Sequence, residues 1–207
     1  MTRLSVTERR ILLLEAAARV IARKGLAETS TRAITDEAGM PRGMFHYCFK
    51  SKDELLEQLI QHHVTDMVEA ACAAWDGERD LAENLRLGLR VILGIGMGDT
   101  AVQMLSYELL LHALRGTETA FIARNQYADY ARQAGEYLQW IADKAGVRWT
   151  VSQPALSRLT SVVIDGSMLN WLADRDSEKA LAALDAFATM LLSITAPLDG
   201  GADQQQN

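Results

Sequence analysis

Apolar residues recur at helical spacing along nearly the whole chain, and no segment alternates long enough to make a sustained strand. Ser5 with Glu8 forms a capping-box pattern, each side chain answering the other's backbone N–H, ahead of an amphipathic run with Ile11, Leu14, Ala18, Val20 and Ile21. Gly25 supplies the stop, because glycine accepts the left-handed backbone that closes a helix. Ser30 caps a short helix over residues 31–38, ending at Gly39. Beyond Met40 and Pro41, a second short helix, apolar and aromatic, runs through Cys48. Ser51 with Glu54 is another capping box and opens a long helix over 52–75, broken by Gly77.

The second half reads in the same way. Asp80 with Glu83 is a box-like start for a helix to about residue 93. Gly94, Gly96 and Gly98 are then expected to interrupt as a flexible link, after which Asp99 caps a helix to about Leu114. Gly116 and Thr117 break the chain before a long helix over 118–145, closed by Gly146. Ser152 starts the next helix, to about 173, with Pro154 tolerated in its first turn. Asp176 or Ser177 starts the last, which ends before Pro197. The pattern predicts an all-α protein of nine helices, with no internal repeat and a polar, disordered tail over 199–207.

Charge divides this helical chain in two. The net charge is −6, yet residues 1–52 carry ten Lys/Arg against five Asp/Glu, and the remainder eleven against twenty-two. A small basic head on an acidic body suits a nucleic-acid reader, the body repelling phosphate and leaving only the head to approach. Several classes are excluded. No run reaches the roughly 18 apolar residues of a membrane span, and the polar N-terminus lacks a signal-peptide core, so a cytoplasmic location is expected. Cys48 and Cys72 have neither metal-ligand spacing nor the density of a disulfide framework. The glycines at 94, 96 and 98 lack the preceding strand a phosphate loop needs. His62 and His63, adjacent on a helix, diverge by about 100° and do not share a metal. Cys48 reads as a small buried apolar residue. No spacing recommends catalysis, so no catalytic residue, metal or cofactor is expected.

The stretch from Thr31 to Lys52 carries the chemistry. Two short helices flank a turn at Gly39; Ile34 and Ala38 face inward from the first, Phe45 and Phe49, four apart, from the second. That leaves Arg42, Met44, His46 and Tyr47 outward, where arginine, histidine and tyrosine meet base edges and phosphates. Helix pairs crossing this way place the second in the major groove.

Over about residues 8–60 the sequence resembles the tetracycline-repressor (TetR) family. The resemblance rests on Ala38-Gly39, Gly43, the aromatic cluster Phe45-His46-Tyr47-Cys48-Phe49, and Ser51-Lys52-Asp53-Glu54-Leu55. It implies a nine-helix fold, a three-helix helix-turn-helix head over 1–51 and a ligand-binding and dimerisation bundle over 52–198. It further implies that Tyr47 and Lys52 contact phosphates, that Arg42, Met44 and His46 face bases, that Pro41 and the Gly43 backbone lie at the DNA, and that Ser30, Thr31 and Arg32 meet the phosphate backbone. Three positions depart from the family pattern. Pro41 stands where serine is common and removes a side-chain cap from the recognition helix; His46 stands for a tyrosine; Cys48 stands for a histidine or tyrosine.

In the body, the resemblance extends to the helix pattern and to the segment from Ile164 to Leu172. With Ala180, Leu184, Phe187, Met190, Leu191 and Ile194 it offers two apolar helix faces, read as the dimer interface of a four-helix arrangement. The expected effector lining comprises Met97, Met104, Tyr107, Leu111, His112, Phe121, Asn125, Tyr127, Trp140 and Trp171, apolar walls with a few polar groups for a small hydrophobic ligand. Asn170 and Asp165 are further candidates to orient a polar group. The function implied is a homodimeric, ligand-released repressor of a palindromic duplex operator. An activator or effector-independent repressor of the same fold, or a helical small-molecule-binding protein or enzyme, is the alternative.

Overall fold

The computed structural model describes residues 4–115 and 120–198. Its described residues form nine helices and two three-residue strands: α1 (Val6–Lys24), α2 (Thr31–Glu37), α3 (Gly43–Cys48), α4 (Lys52–Ala73), α5 (Leu81–Gly98), α6 (Thr100–Arg115), α7 (Ala120–Ala145), β1 (Val147–Trp149), α8 (Gln153–Asp174), α9 (Ser177–Ser193) and β2 (Thr195–Pro197). The expected break at Gly116 and Thr117, the helix start at 118 and the tail at 199–207 lie outside the described residues.

Helix starts follow their caps. The Ser5 hydroxyl accepts from the Glu8 N–H at 3.1 Å while Glu8 accepts from the Ser5 N–H, a complete capping box. Asp80 and Glu83 form the same reciprocal pair. Ser51 caps the Glu54 N–H, but Glu54 reaches past it to the Lys50 N–H at 2.7 Å. Asp176, rather than Ser177, caps α9 through the Lys179 N–H. Each such cap is worth about 1 kcal/mol.

The chain divides into two compact units. The first comprises Met1–Thr65 and Asp99–Ala123. Its core holds Leu13, Ala16, Ala17 and Val20 of α1, Ile34 of α2, Phe45 of α3, Phe49, and Leu55, Leu56 and Leu59 of α4. The α6 residues Val102 and Leu105 are buried in the same unit. Of the apolar positions read on α1, Leu14, Val20 and Ile21 lie on the buried stripe with Leu13, Ala16 and Ala17, whereas Ile11 is exposed.

The second unit comprises Asp66–Gly98 and Arg124–Asn207. Its core joins α5, α8 and α9 through Leu85, Leu89, Leu93, Leu156, Met168, Leu184, Phe187 and Leu191, with Tyr137 and Leu138 from α7. Two expectations fail here. The glycines at 94, 96 and 98 do not interrupt: α5 continues through them. Glycine costs a helix about 1 kcal/mol relative to alanine, and burial of Ile92, Leu93 and Gly96 in the core overrides it. The sequence reading also missed β1 and β2, which pair antiparallel, Arg148 opposite Ala196. Pro197 sits at the end of its strand, where a missing N–H is harmless.

Candidate nucleic-acid interface

The turn between α2 and α3 is made by Gly39, whose φ of 65° is a left-handed conformation that other residues adopt only at a cost. From there the chain enters α3 with no side-chain cap; Pro41 instead accepts the Met44 N–H on its carbonyl at 2.8 Å. The departure at Pro41 thus leaves the first turn of α3 uncapped.

The short α3 presents two unlike sides. Phe45 and Cys48 are buried, and Phe45 packs against buried Phe49 with ring centroids 5.9 Å apart. Burial pushes the Cys48 thiol up, against the smaller opposing effect of Arg10 and Arg9. Arg42, Gly43, His46 and Tyr47 are exposed, Tyr47 by 64%, and Met44 is half-buried. A Cβ built on Gly43 meets nothing within 4 Å, so open space lies beside its backbone. His46 rests edge-on against Phe45 at 5.5 Å.

The α2 start faces solvent as well. Ser30 is exposed and caps the Ala33 N–H at 3.2 Å; Thr31 is half-buried; Arg32 is exposed and lies 3.6 Å from Asp36. Arg19 and Arg23 of α1 reach Glu37 at 3.0 and 2.6 Å and tie the two helices. The Arg23 hydrogen bond, then that of Arg19, holds the Glu37 carboxyl below the usual carboxylate range. Lys52, expected at a phosphate, donates from Nζ to the Thr29 carbonyl at 2.8 Å, leaving two further ammonium protons.

Two residues were missed by sequence reasoning. Lys50 is exposed immediately after α3. Arg10 sits behind α3 and donates to the Cys48 carbonyl, to Glu54 Oε1 at 3.1 Å and to Gln58 Oε1 at 2.7 Å. The sole signal for Arg10 was a cation at the start of an otherwise apolar-faced helix.

The expected effector residues fall in both units. Met104, Tyr107, Leu111, His112 and Phe121 belong to the first, with Met104, Leu111, His112 and Phe121 exposed. Met97, Asn125, Tyr127, Trp140 and Trp171 belong to the second. There the structure brings Tyr127 onto Asp165, hydroxyl to Oδ2 at 2.9 Å. Burial, then that hydrogen bond, pushes the Tyr127 phenol well up. Tyr130 packs edge-on to Tyr127 at 5.6 Å. Trp140 packs edge-on against Trp75, Trp171 donates to Ser177 Oγ at 3.1 Å, and Met97 leans on the core. Asn170 caps back to the Gly166 carbonyl and Asn125 is exposed. Among the described residues no group of three or more His, Cys, Asp or Glu is placed to hold a metal ion, and no helix is long and apolar enough to cross a membrane.

Of the expected dimer face, Ala180, Leu184, Phe187 and Leu191 are buried inside the second unit. The exposed apolar residues are Leu159, Val162 and Leu169 of α8 and Met190 of α9. Between these helices, Val151, Ala155, Leu159, Phe187, Met190 and Ile194 line an apolar depression of about 280 Å³.

Comparison with known proteins agrees with this geometry. Residues 13–59 match the family model described as bacterial regulatory proteins, tetR family. The chain is 27% identical over 172 residues to the HTH-type nicotine-responsive transcriptional repressor HdnoR of Paenarthrobacter nicotinovorans, covering 83% of this chain and 88% of that protein. Its fold is similar to a TetR transcription regulator from Haloarcula marismortui, with TM-score 0.65, 17% identity and coverage of 92% and 100% of the two chains. It is also similar to the transcriptional regulator FadR from Bacillus subtilis in complex with stearoyl-CoA, with TM-score 0.61, 18% identity and coverage of 88% and 97%.

Proposed function

We propose that this chain, which matches the tetR family model over residues 13–59 and resembles a transcriptional repressor along most of its length, is a cytoplasmic, ligand-responsive repressor, binding a palindromic duplex operator as a homodimer and released by a small hydrophobic effector. The observation that carries the reading is the two-sided α3. Phe45, Cys48 and Phe49 anchor it, while Arg42, Met44, His46 and Tyr47 are left for a groove. Arg42 pairs with guanine, Met44 meets a thymine methyl, and Tyr47, with Ser30, Thr31, Arg32, Lys50 and Lys52, holds phosphates. The +5 balance of residues 1–52 draws the head onto duplex.

The exposed stripe Leu159, Val162 and Leu169 with Met190 supports a homodimer formed through α8 and α9. Two-fold pairing sets two recognition helices one DNA turn apart, about 34–36 Å. For the effector, a nicotine-responsive relative and a fold neighbour holding stearoyl-CoA both support control by a largely apolar small molecule. The effector favours a state in which the heads no longer match the half-site spacing, so its affinities for the two states must differ.

Selection of bound duplexes from a random pool tests the reading. An inverted repeat is expected, with half-sites one turn apart. Gel-shift titration with nicotine and with long-chain acyl-CoA then screens for release. A protein that enriches no sequence even at low salt would refute the proposal.

A further inference from the structure

We infer that Arg10 is the positioning residue for DNA reading, joining the C-terminal end of α3 to the first two turns of α4 through one planar guanidinium. The inference rests on the DNA-reading role proposed for α3. A helix of six residues has too few internal hydrogen bonds to hold its own orientation, so its direction must be imposed from outside. Phe45 and Phe49 fix its depth through apolar contacts, which are non-directional.

Arg10 supplies the clamp. One terminal nitrogen donates to the Cys48 carbonyl, a last-turn acceptor of α3. The other donates to Glu54 at 3.1 Å and Gln58 at 2.7 Å, one turn apart on α4. The guanidinium carbon lies over the Phe49 ring, 4.3 Å from its centroid, and that ring in turn packs on Phe45. Glu54 is itself held, because its second oxygen accepts the Lys50 N–H at 2.7 Å. The exit segment from Cys48 to Ser51 is therefore gripped through both a carbonyl and an N–H by the same Arg10–Glu54 pair. These donors point at protein acceptors, so Arg10 acts through α3 rather than on a phosphate. Lysine cannot reproduce this, since a compact ammonium has neither a flat face to stack nor a planar fork to divide.

The test uses the full-length protein and the duplex enriched from the random pool. Arg10→Lys preserves net charge. Its operator affinity is expected to fall roughly tenfold, the scale of one charge-assisted hydrogen bond. Affinity for an unrelated duplex at low salt, and the slope of affinity against salt, stay at wild-type values, because the number of phosphates neutralised is unchanged. A merely structural role would lower both affinities by the same folded fraction, which thermal melting reads separately. The assignment is overturned by a variant that keeps wild-type operator preference. It is equally overturned by parallel losses with a salt slope lower by about one, the mark of a phosphate contact. Should Arg10→Lys not fold, Gln58→Met, which likewise keeps the net charge and removes one acceptor of the fork, carries the test: about a threefold loss of operator affinity is expected, with affinity for the unrelated duplex unchanged; an unchanged operator preference refutes the clamp. A wild-type protein that enriches no sequence overturns the DNA-reading role itself, a result distinct from either variant's.

Discussion

The ammonium of Lys52 donates to the carbonyl oxygen of Thr29 at 2.8 Å, joining the start of α4 to the residue before the α2 cap across 23 positions of sequence. Thr29 is buried and its own hydroxyl bonds back to the Gly25 carbonyl at 2.8 Å, so the tie ends on a fixed point. Lys52→Ala is expected to cost about 0.5–1 kcal/mol of stability, discounted because the lysine is half-exposed. It should also lower the salt slope of DNA binding by about one if the remaining protons meet a phosphate. Denaturant midpoints and gel shifts at several salt concentrations read the two effects apart; an unchanged slope assigns Lys52 to the tie alone.

Arg42 makes no capping bond, and α3 is anchored elsewhere. Arg42→Ala is therefore expected to leave the melting temperature within a degree or two while operator preference drops by about 1–3 kcal/mol. Competition against duplexes changed at single base pairs locates the pair it reads. Equal loss on every sequence would place Arg42 on the backbone instead.

Two glycines of α5 should respond in opposite directions. A Cβ on Gly88 falls 1.7 Å from Tyr137 Oη, and the tyrosine is buried, so Gly88→Ala is expected to destabilise by about 1–3 kcal/mol. Gly94 is exposed with nothing within 4 Å of the same atom. Gly94→Ala should raise stability by up to about 1 kcal/mol. Urea titration of the two variants decides it, and destabilisation by Gly94→Ala would mean that α5 is not helical there.

Acid should loosen the head. Hydrogen bonds from Arg23 and Arg19 hold Glu37 below the ordinary carboxylate value of 4.5, as the Lys50 N–H does for Glu54 and the Ser5 N–H for Glu8. A depressed folded-state pKa means the unfolded chain takes up the proton first. The stabilisation is complete above about pH 4.5 and is lost as pH falls through the lower folded values. Glu57 opposes this, since burial, then Asp53 and Glu54, raise it. Melting curves between roughly pH 3 and pH 7 should show a shallower acid decline for Glu37→Gln than for the unaltered protein. Parallel curves would remove Glu37 from the explanation.

Val162 and Met190 are 50% and 61% exposed, on neighbouring helices. Charging either one, as Val162→Glu or Met190→Glu, is expected to give a folded monomer by sedimentation. Operator affinity should fall by at least tenfold, because two half-sites are no longer bound by one particle. A variant that remains dimeric moves the interface elsewhere.

The head was legible because its signals are local. Ser5 with Glu8, Ser30, Gly39 and the Phe45–Phe49 pair each act within a few residues, and the structure uses each as read. What escaped depends on distant partners. Arg10 finds its acceptors 38 to 48 residues away. Residues 147–149 become a strand only because residues 195–197 lie beside them. Gly94 to Gly98 looked like a break on local propensity, whereas helix α5 is settled by what its other side buries. The expected dimer face carried the same ambiguity: Leu184 and Leu191, read as interface residues from helical spacing, fill the second unit's own core.

On α3, the residues buried in the protein and the residues left exposed are different residues. Arg42 and Tyr47 are exposed and Phe45, Cys48 and Phe49 are buried, while the exposed His46 leans on Phe45. Under the DNA-reading role proposed for α3, target choice can thus drift at Arg42 while the buried anchors stay in place, so a duplicated copy of this chain has an open route to new promoters.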